Sequence, residues 1–292
     1  MKRVLYQEKG ISGKLSVVDQ GRRRTMFLGS LPQTTIDTRN PDRLLGRYIP
    51  YFHLGAILSP QPERVLFLGL GGGAGVRSFY NCYSHTEVEA VEIDPNVVET
   101  AHQYFFLPQD SHRLKVSVAD GRQFLTTRKS QFDHIILDAY NQDGYSSRLY
   151  TLESFQLADE ALRMRARGGL NLPGVLLINA VGWLNEARGE TLRILIKTVH
   201  AVFPTIYLFE VRQPIWQRIL GGGNNFLLLA SQEEGALSQQ RLRRRAELLW
   251  QKKALPFDLR PLVSGWRPLP SLSQTEILTD WRLRQGKMIL TV

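Results

Sequence analysis

The chain has 292 residues and a formal net charge of +10, and 43% of its residues are hydrophobic. This composition predicts a soluble globular protein with one large or two modest domains. No apolar run approaches the roughly 20 residues that a membrane span needs. The N-terminus lacks the long apolar core of a signal peptide. We therefore expect a cytoplasmic protein that makes no membrane contact.

Cysteine and histidine usage argues against a metal site. The single cysteine, Cys82, excludes an internal disulfide and a cysteine-based metal site. The six histidines are scattered, and no two of them have the spacing of metal ligands on a helix. We expect no metal.

Part of the positive charge is concentrated in two runs. Residues 22–24 are all arginine, and the second run consists of Arg241, Arg243, Arg244, Arg245, Lys252 and Lys253. Such runs attract nucleic acid or another polyanion, but most charge runs are simply solvated. A solvated turn and helix face is the default interpretation, and polyanion contact through Arg241 to Lys253 remains an alternative.

The first 45 residues predict a small β-rich domain. Residues 14–19 and 24–28 are strand-like and flank Gln20 and Gly21, which favour a hairpin turn. Residues 44–58 then become apolar and aromatic, and they predict a helix that is interrupted at Pro50.

From residue 65 onward, strand-like and helix-like segments alternate. Apolar runs of strand length occur at 65–68, 88–93, 114–118, 132–137, 175–181, 205–211 and 226–230. Asp94 and Pro95 open one helix, and Thr151 caps another that Gly168 and Gly169 should end. The alternation predicts an α/β fold with a doubly wound, mostly parallel Rossmann-like sheet in a catalytic domain of residues 46–235. Residues 236–292 predict a basic helix, residues 236–253, and an irregular C-terminal extension.

A glycine-rich turn follows the first of these central strands, with glycines at 69, 71, 72, 73 and 75. Strand, glycine turn, helix, strand and acid form the unit that binds an adenosine-containing cofactor. The acid is Glu92, which lies 23 residues after Gly69, close to the roughly 20 expected for an acid that binds ribose hydroxyls. The candidate cofactor-binding glycines are Gly69, Gly71, Gly72 and Gly73. A dinucleotide enzyme and a turn that binds nothing are the alternatives.

Three acids, Glu92, Asp120 and Asp138, each follow an apolar strand run. The carboxyl ends of parallel strands share one edge of a sheet, so these acids should converge there. Carboxylates suit a neutral or cationic ligand, and the glycine turn holds no Lys or Arg for a triphosphate. A nucleoside carrying a sulfonium cation fits better. Glu92 would hold the ribose diol and Asp120 the adenine amine, while Asp138 would orient or deprotonate an amine nucleophile.

At these residues the chain resembles the spermidine synthase family, which has the S-adenosylmethionine-dependent methyltransferase fold. The matching segments are VLFLG at 65–69, VEIDP at 91–95, ADG at 119–121, FDHIILD at 132–138, GVLL at 174–177 and LTD at 278–280. The last resembles a motif of the spermidine synthase-like branch. The resemblance implies that Glu92 binds ribose, Asp120 binds adenine and Asp138 activates the attacking amine. It also implies a homo-oligomer and a small-molecule amine acceptor rather than a macromolecule.

The chain departs from the family at three cation-binding positions. The family acid that holds the donor's amine within the glycine turn is replaced by Gly72, whose backbone amide could instead donate to a carboxylate. The second acid after the fourth strand is replaced by Asn141. A family Tyr-x-Glu motif that helps to hold polyamine falls near Arg47, Tyr48 and Ile49.

These departures order the functional hypotheses. The first is methyl transfer from S-adenosylmethionine to an amine or related nucleophile, because losing the acid at 72 removes repulsion against the donor carboxylate. The alternative is a polyamine aminopropyltransferase that uses decarboxylated S-adenosylmethionine. Tyr140, Asn141, Asp143 and Tyr145 are candidates to meet the acceptor, although the tyrosines could equally be packing residues. A nicotinamide oxidoreductase and a catalytically silent adenosine-binding module follow as third and fourth hypotheses.

Overall fold

The structure, a computed structural model, describes residues 2–43, 45–141, 144–185, 187–211 and 224–286. The chain begins with a four-stranded antiparallel sheet of β1 (Lys2–Gly10), β2 (Gly13–Gln20), β3 (Arg23–Leu28) and β4 (Leu31–Asp37). The predicted hairpin between β2 and β3 is present, and Gly21 in its turn has a φ of 62°. One face of this small sheet is apolar because buried residues such as Leu15 and Val17 alternate along β2.

The main sheet follows the alternating pattern seen in the sequence. Its strands are β5 (Arg64–Leu68), β6 (Glu87–Glu92), β7 (Leu114–Val118), β8 (His134–Leu137), β13 (Val175–Gly182), β14 (Thr205–Glu210), β15 (Asn224–Ser231) and β16 (Trp266–Arg267). Two short hairpins supply β9 (Tyr140–Asn141) with β10 (Gly144–Tyr145), and β11 (Arg165–Arg167) with β12 (Leu170–Leu172). The strand order in the main sheet is β16-β14-β15-β13-β8-β5-β6-β7. Five neighbouring strands, from β13 to β7, run parallel, which confirms the predicted mostly parallel α/β fold.

Helices cover both faces of the main sheet. They are α1 (Ile49–Phe52), α2 (Ala74–Cys82), α3 (Pro95–Tyr104), α4 (Gly121–Thr126), α5 (Leu152–Ala161), α6 (Glu190–His200), α7 (Gln239–Gln251), α8 (Arg260–Val263) and α9 (Asp280–Arg284), with a 3₁₀ turn at His53–Ile57. Successive residues of β5 pack into opposite cores: Leu66 and Leu68 into one, Val65 and Phe67 into the other. A strand buried on both faces explains why its sequence is continuously apolar. No helix in the part of the chain that the structure describes is long and apolar enough to cross a membrane.

Three helix boundaries differ from the sequence predictions. In the described part of the helix predicted over 44–58, the structure has α1 followed by the 3₁₀ turn at His53–Ile57, and Pro50 lies in the first turn of α1, where a missing amide hydrogen costs nothing. Helix α5 ends at Ala161 rather than at the glycines, because Gly168 and Gly169 form the left-handed turn between β11 and β12. Helix α7 begins at Gln239 because the Ser238 side chain caps it by accepting from the amide of Arg241.

The C-terminal segment packs onto the main sheet and its helices. Strand β16 pairs with the edge strand β14. Leu278 is fully buried, and its carbonyl accepts from the amide of Leu152 at the start of α5. The Asp280 carboxylate accepts hydrogen bonds from both terminal nitrogens of Arg122 on α4, at 2.5 Å each. The LTD motif at 278–280 thus supports α4. The predicted domain boundaries at residues 45 and 235 stay a prediction.

The basic run that includes Arg241 and Lys253 lies on α7 and the turn after it. Five of its six basic side chains are exposed, and Arg245 instead donates to the carbonyl of Ile57. Exposure of this kind is compatible with a solvated helix face and with contact to a polyanion. Both polyanion contact and the homo-oligomer stay predictions.

Candidate active site

A cavity of about 390 Å³ lies at the carboxyl edge of the parallel strands. One wall comes from the N-terminal sheet region, through Ser12, Gln33 and Thr34. The opposite wall comes from the ends of the central strands and the segments that follow them. The cavity therefore occupies the position where open parallel sheets bind their ligands.

The glycine turn forms the floor of this cavity. Gly69 has a φ of 97°, and a Cβ built on it would lie 2.2 Å from the carbonyl oxygen of Asp138. Only glycine therefore lets the end of β5 lie against the end of β8. Gly71 lines the cavity, and Gly73 starts α2 with a φ of 70°. Of the four candidate glycines, Gly69 and Gly71 line the cavity, whereas Gly73 turns the chain into the helix.

Gly72 faces the N-terminal sheet instead. Its amide donates to Oγ1 of Thr34 at 2.9 Å. A Cβ at this position would lie 2.8 Å from Cγ2 of Thr34 and 2.9 Å from Cδ1 of Phe105. Thr34 thus accepts from this amide in the structure, and donation from the amide to a ligand carboxylate stays a prediction.

Glu92 ends β6 and lines the cavity. One of its carboxylate oxygens accepts from the amide of Leu70 and the other from the amide of Asp94, both at 3.1 Å. Burial raises the pKa of the Glu92 carboxyl, while these amides and that of Ile93 oppose the rise. Each carboxylate oxygen can accept a second hydrogen bond, so the side chain can still hold a ribose diol.

Asp120 follows β7 and also lines the cavity, but it has a structural role that the sequence did not reveal. Its Oδ1 accepts from the amides of Arg122 and Gln123 at 2.8 and 3.1 Å, so it is the N-cap of α4. The capping bonds fix the direction of the carboxylate, and its other oxygen, Oδ2, is the one that a ligand would meet.

Asp138 follows β8 at the cavity wall, where side chains from distant parts of the chain bind it. Nδ2 of Asn179 donates to its Oδ1 at 2.9 Å. The Tyr48 phenol lies beside the same carboxyl, and its hydroxyl donates to the carbonyl of Gln33 at 3.4 Å. Burial raises the pKa of Asp138 to about 6, and the neighbouring Asn179 and Tyr48 donor groups oppose the rise. A carboxyl with a pKa near 6 is matched to proton transfer at neutral pH.

The position of Tyr48 favours one alignment of the short family motif. Tyr48 lines the cavity beside Asp138, as the tyrosine of Tyr-x-Glu would. On that alignment the acid of the motif falls at Pro50. The correspondence stays a prediction.

The acceptor candidates divide into three groups. Tyr140 and Asn141 line the cavity, and the Tyr140 hydroxyl donates to the carbonyl of Asn179 at 2.7 Å. Tyr145 is 2% exposed and hydrogen-bonds to the backbone of Val181, so it is a packing residue. Asp143 lies outside the described residues.

Sequence reasoning missed several cavity residues. Asn179 and Asn225 form a linked pair beside Asp138, since Nδ2 of Asn225 donates to Oδ1 of Asn179 at 3.0 Å. The signal was present: Asn179 interrupts the apolar run of β13, and a buried amide needs partners. Thr34 and Ser12 gave no such signal, because they reach the cavity only through the docking of the N-terminal sheet.

Comparison with known proteins identifies the family. The sequence model of the Spermine/spermidine synthase domain matches residues 51–167. A polyamine aminopropyltransferase of Vibrio vulnificus (strain CMCP6) is 30% identical over 240 residues, which cover 80% of this chain and 70% of that protein. The chain belongs to the spermidine synthase family. Its relatives include aminopropyltransferases and methyltransferases, which are both transferases. This protein is a transferase.

Two further similarities are to a methyltransferase sequence and to a spermidine synthase structure. The eEF1A lysine and N-terminal methyltransferase of Danio rerio is 33% identical over 155 residues, which cover 50% of this chain and 21% of that protein. The crystal structure of spermidine synthase from Thermotoga maritima superposes with a TM-score of 0.70 at 18% identity, covering 98% of this chain and 88% of that one. The structural likeness supports the fold, and the sequence relatives include both transfer chemistries.

Proposed function

We propose that this protein transfers an aminopropyl group from decarboxylated S-adenosylmethionine to a small-molecule amine. The observation that carries the proposal is the Asp138 carboxylate at the cavity wall, which accepts a hydrogen bond from Asn179 and lies beside Tyr48. This arrangement suits a base that receives a proton from an amine. Polyamine aminopropyltransferases are also prominent among the sequence relatives. They favour this alternative over methyl transfer, which the sequence analysis put first.

The charges of the cavity favour the decarboxylated donor. Glu92, Asp120 and Asp138 line it, and the basic side chain among its described lining residues is Arg148, which is exposed. Decarboxylated S-adenosylmethionine carries a sulfonium and an ammonium, whereas S-adenosylmethionine also carries a carboxylate. Opposite charges attract and like charges repel more strongly where water is excluded, so an acidic cavity selects the donor without the carboxylate.

The proposed reaction is a displacement at carbon. The amine nitrogen attacks the aminopropyl carbon beside the sulfonium, the C–N bond forms, and the C–S bond breaks with its electron pair going to sulfur. The departing nucleoside is then a neutral thioether. Asp138 accepts the proton from the amine, while Glu92 and Asp120 hold the nucleoside through its ribose and adenine.

Methyl transfer is a second candidate, and Gly72 is the observation that favours it. The acid that holds the donor ammonium in aminopropyltransferases of the family is missing there. The methyltransferase of Danio rerio is similar over half of this chain. S-Adenosylmethionine would then be the donor, with an amine or related nucleophile as acceptor.

Calorimetry and mass spectrometry with the two donors test the proposal. The purified protein is titrated with each donor and then incubated with each donor and a panel of monoamines, diamines and polyamines. The proposal expects tighter binding of the decarboxylated donor and an amine product heavier by one aminopropyl group. Products heavier by a methyl group would instead support the second candidate. Binding without turnover would favour the silent adenosine-binding module.

A further inference from the structure

A chain of two amides leads from strand β15 to Asp138. Nδ2 of Asn225 donates to Oδ1 of Asn179 at 3.0 Å, and Nδ2 of Asn179 donates to Oδ1 of Asp138 at 2.9 Å. Asn179 is 4% exposed and lies on β13, between β8 and β15 in the sheet. The three side chains come from three neighbouring strands of the sheet or the residue directly after one, so the sheet itself aligns them.

This chain has a direction, because an amide has a donating nitrogen at one end and an accepting oxygen at the other. With the Asn225 nitrogen facing it, the Asn179 side chain must turn its oxygen toward β15. Its nitrogen then faces Asp138. A donor facing a carboxyl stabilises the charged form of that carboxyl over the protonated form.

We infer that Asn225 is a positioning residue that acts through Asn179 to keep Asp138 in its ionised, proton-accepting form. As far as the reaction is concerned, the inference rests on the proposed function. The part of the inference that concerns only the ionisation of Asp138 is independent of the proposed function, because that ionisation is measurable without any substrate.

Phenols also lie around Asp138, and charged side chains line the same cavity. Tyr48 from the segment before α1, Tyr140 on β9 and Tyr150 before α5 are the phenols that interact with it. The pKa of each of these phenols lies well above its usual value because of burial, so they stay neutral near pH 7. Glu92, Asp120 and the exposed Arg148 also line the cavity. Among these neighbours, Asn179 is the one whose donating and accepting ends a substitution at Asn225 would exchange.

The substitution Asn225→Asp tests the inference by reversing the chain. An aspartate accepts but does not donate, so it should draw the Asn179 nitrogen toward β15 and turn the Asn179 oxygen toward Asp138. The acid limb of the kcat/KM profile, expected near the Asp138 pKa of about 6, should move up by about 1 to 2 pH units. At pH values above the shifted limb the parent kcat should return. Asn225→Leu removes the donor without adding charge and should shift the limb in the same direction by less.

A second background separates the reversed amide from the simple effect of a new negative charge. In Asn179→Ala, the same Asn225→Asp change keeps its charge but has no amide to turn, so the additional shift should largely disappear. An equal shift in both backgrounds would mean that charge alone acts and would overturn the inference. So would an unchanged acid limb, or an Asn225→Leu variant in which only the KM for the amine rises.

A substrate-free readout keeps this inference distinct from the proposed function. Carbon-13 NMR of aspartate-labelled protein follows the Asp138 carboxyl through a pH titration, and Asp138→Asn assigns the signal. We expect the titration midpoint to rise in Asn225→Asp by the same amount as the kinetic limb. If no donor is turned over but the midpoint rises, the proposed function fails and the inference holds. If turnover occurs but the midpoint stays at the parent value, the inference fails and the function stands.

Discussion

The two ends of the cavity hold their carboxylates in different ways. At the proposed nucleoside end, Glu92 and Asp120 accept from backbone amides, most of them two or three residues away in sequence. At the proposed acceptor end, Asp138 accepts from the side chain of Asn179, 41 residues away, and lies beside the Tyr48 phenol. Backbone donors are fixed once the strand and helix form, whereas side-chain donors change with a single substitution. The nucleoside end is therefore set by the fold, and the acceptor end can be adjusted within it.

The family departures follow the same division. The resemblance places family acids at Glu92 and Asp120, and it places Asn141 and Pro50 where the family has acids toward the acceptor. It also places Gly72 where the family has the acid for the donor's amine. We infer that relatives share a nucleoside site and differ at the reacting end, which is consistent with aminopropyl and methyl transferases in one family.

The largest effect should come from Asp138→Asn, which breaks the acceptor end alone. The amide keeps an oxygen that can accept from Asn179, so the fold should survive. Removing the base should lower kcat by about 10²- to 10⁴-fold, while the affinity for the donor, measured by calorimetry, changes far less than kcat does. Tyr48→Phe is the matched control, since it removes the neighbouring phenol hydroxyl and keeps the Asp138 carboxylate. An undiminished kcat in Asp138→Asn would remove this residue from the mechanism.

Glu92→Ala should have the next largest effect, and it breaks the nucleoside end. Hydrogen bonds to a charged group are worth about 1.5–3 kcal/mol, so nucleoside binding should weaken by about 10- to 150-fold. The substitution also leaves the amides of Leu70 and Asp94 without this acceptor, so the melting temperature is measured in parallel. Glu92→Gln keeps one accepting oxygen and should fall between the parent and Glu92→Ala. Parent-like affinity in both variants would disprove the ribose assignment.

These two ends also differ in how far the sequence predicts them. Glu92, Asp120 and Asp138 could be found because each follows an apolar strand, and parallel strands bring their carboxyl ends to one edge. Helix starts at Pro95 and Leu152 were predictable too, since Asp94 and Thr151 cap them within a few residues. All of these signals are local, or depend only on the order of the strands.

What the sequence did not predict depends on long-range packing. Thr34 meets Gly72 only because the N-terminal sheet docks over the glycine turn. Asn225 meets Asn179 only because β15 runs antiparallel between β13 and β14. No spacing in the sequence predicts either of these two contacts. The same reason explains why Asp120 was predicted as a ligand residue but not as an N-cap: its strand was recognised and the short helix α4 was not.

A substitution at position 72 sharpens the comparison by moving charge toward the donor's tail. Alone, Gly72→Asp should weaken both donors, because its Cβ collides with Thr34 and Phe105. In a Thr34→Gly background, which removes part of that collision, the aspartate should pair with the donor ammonium and repel a carboxylate. The ratio of affinities should then shift toward decarboxylated S-adenosylmethionine by about 10- to 100-fold.

The matched control for this shift is Gly72→Asn in the same Thr34→Gly background. Asparagine has nearly the same shape as aspartate and no charge. It should therefore leave the ratio of the two donor affinities at the value found in the Thr34→Gly variant. If asparagine shifts the ratio as much as aspartate does, shape rather than charge selects the donor. A parent protein that already prefers S-adenosylmethionine would contradict the aminopropyl proposal and favour methyl transfer.

The smallest effect should come from Asp120→Asn, which separates the two roles of this residue. Asparagine caps helices as well as aspartate does, so α4 and the melting temperature should stay at parent values. Its oxygen remains on the amides of Arg122 and Gln123, and its NH₂ group replaces the oxygen that faces the cavity. The new NH₂ group and the adenine amine would then both be hydrogen-bond donors that face each other. Nucleoside affinity should therefore fall by about 2- to 12-fold. Parent-like affinity with a parent-like melting temperature would leave Asp120 as a helix cap alone, and recognition of adenine would then fall to other residues of the cavity.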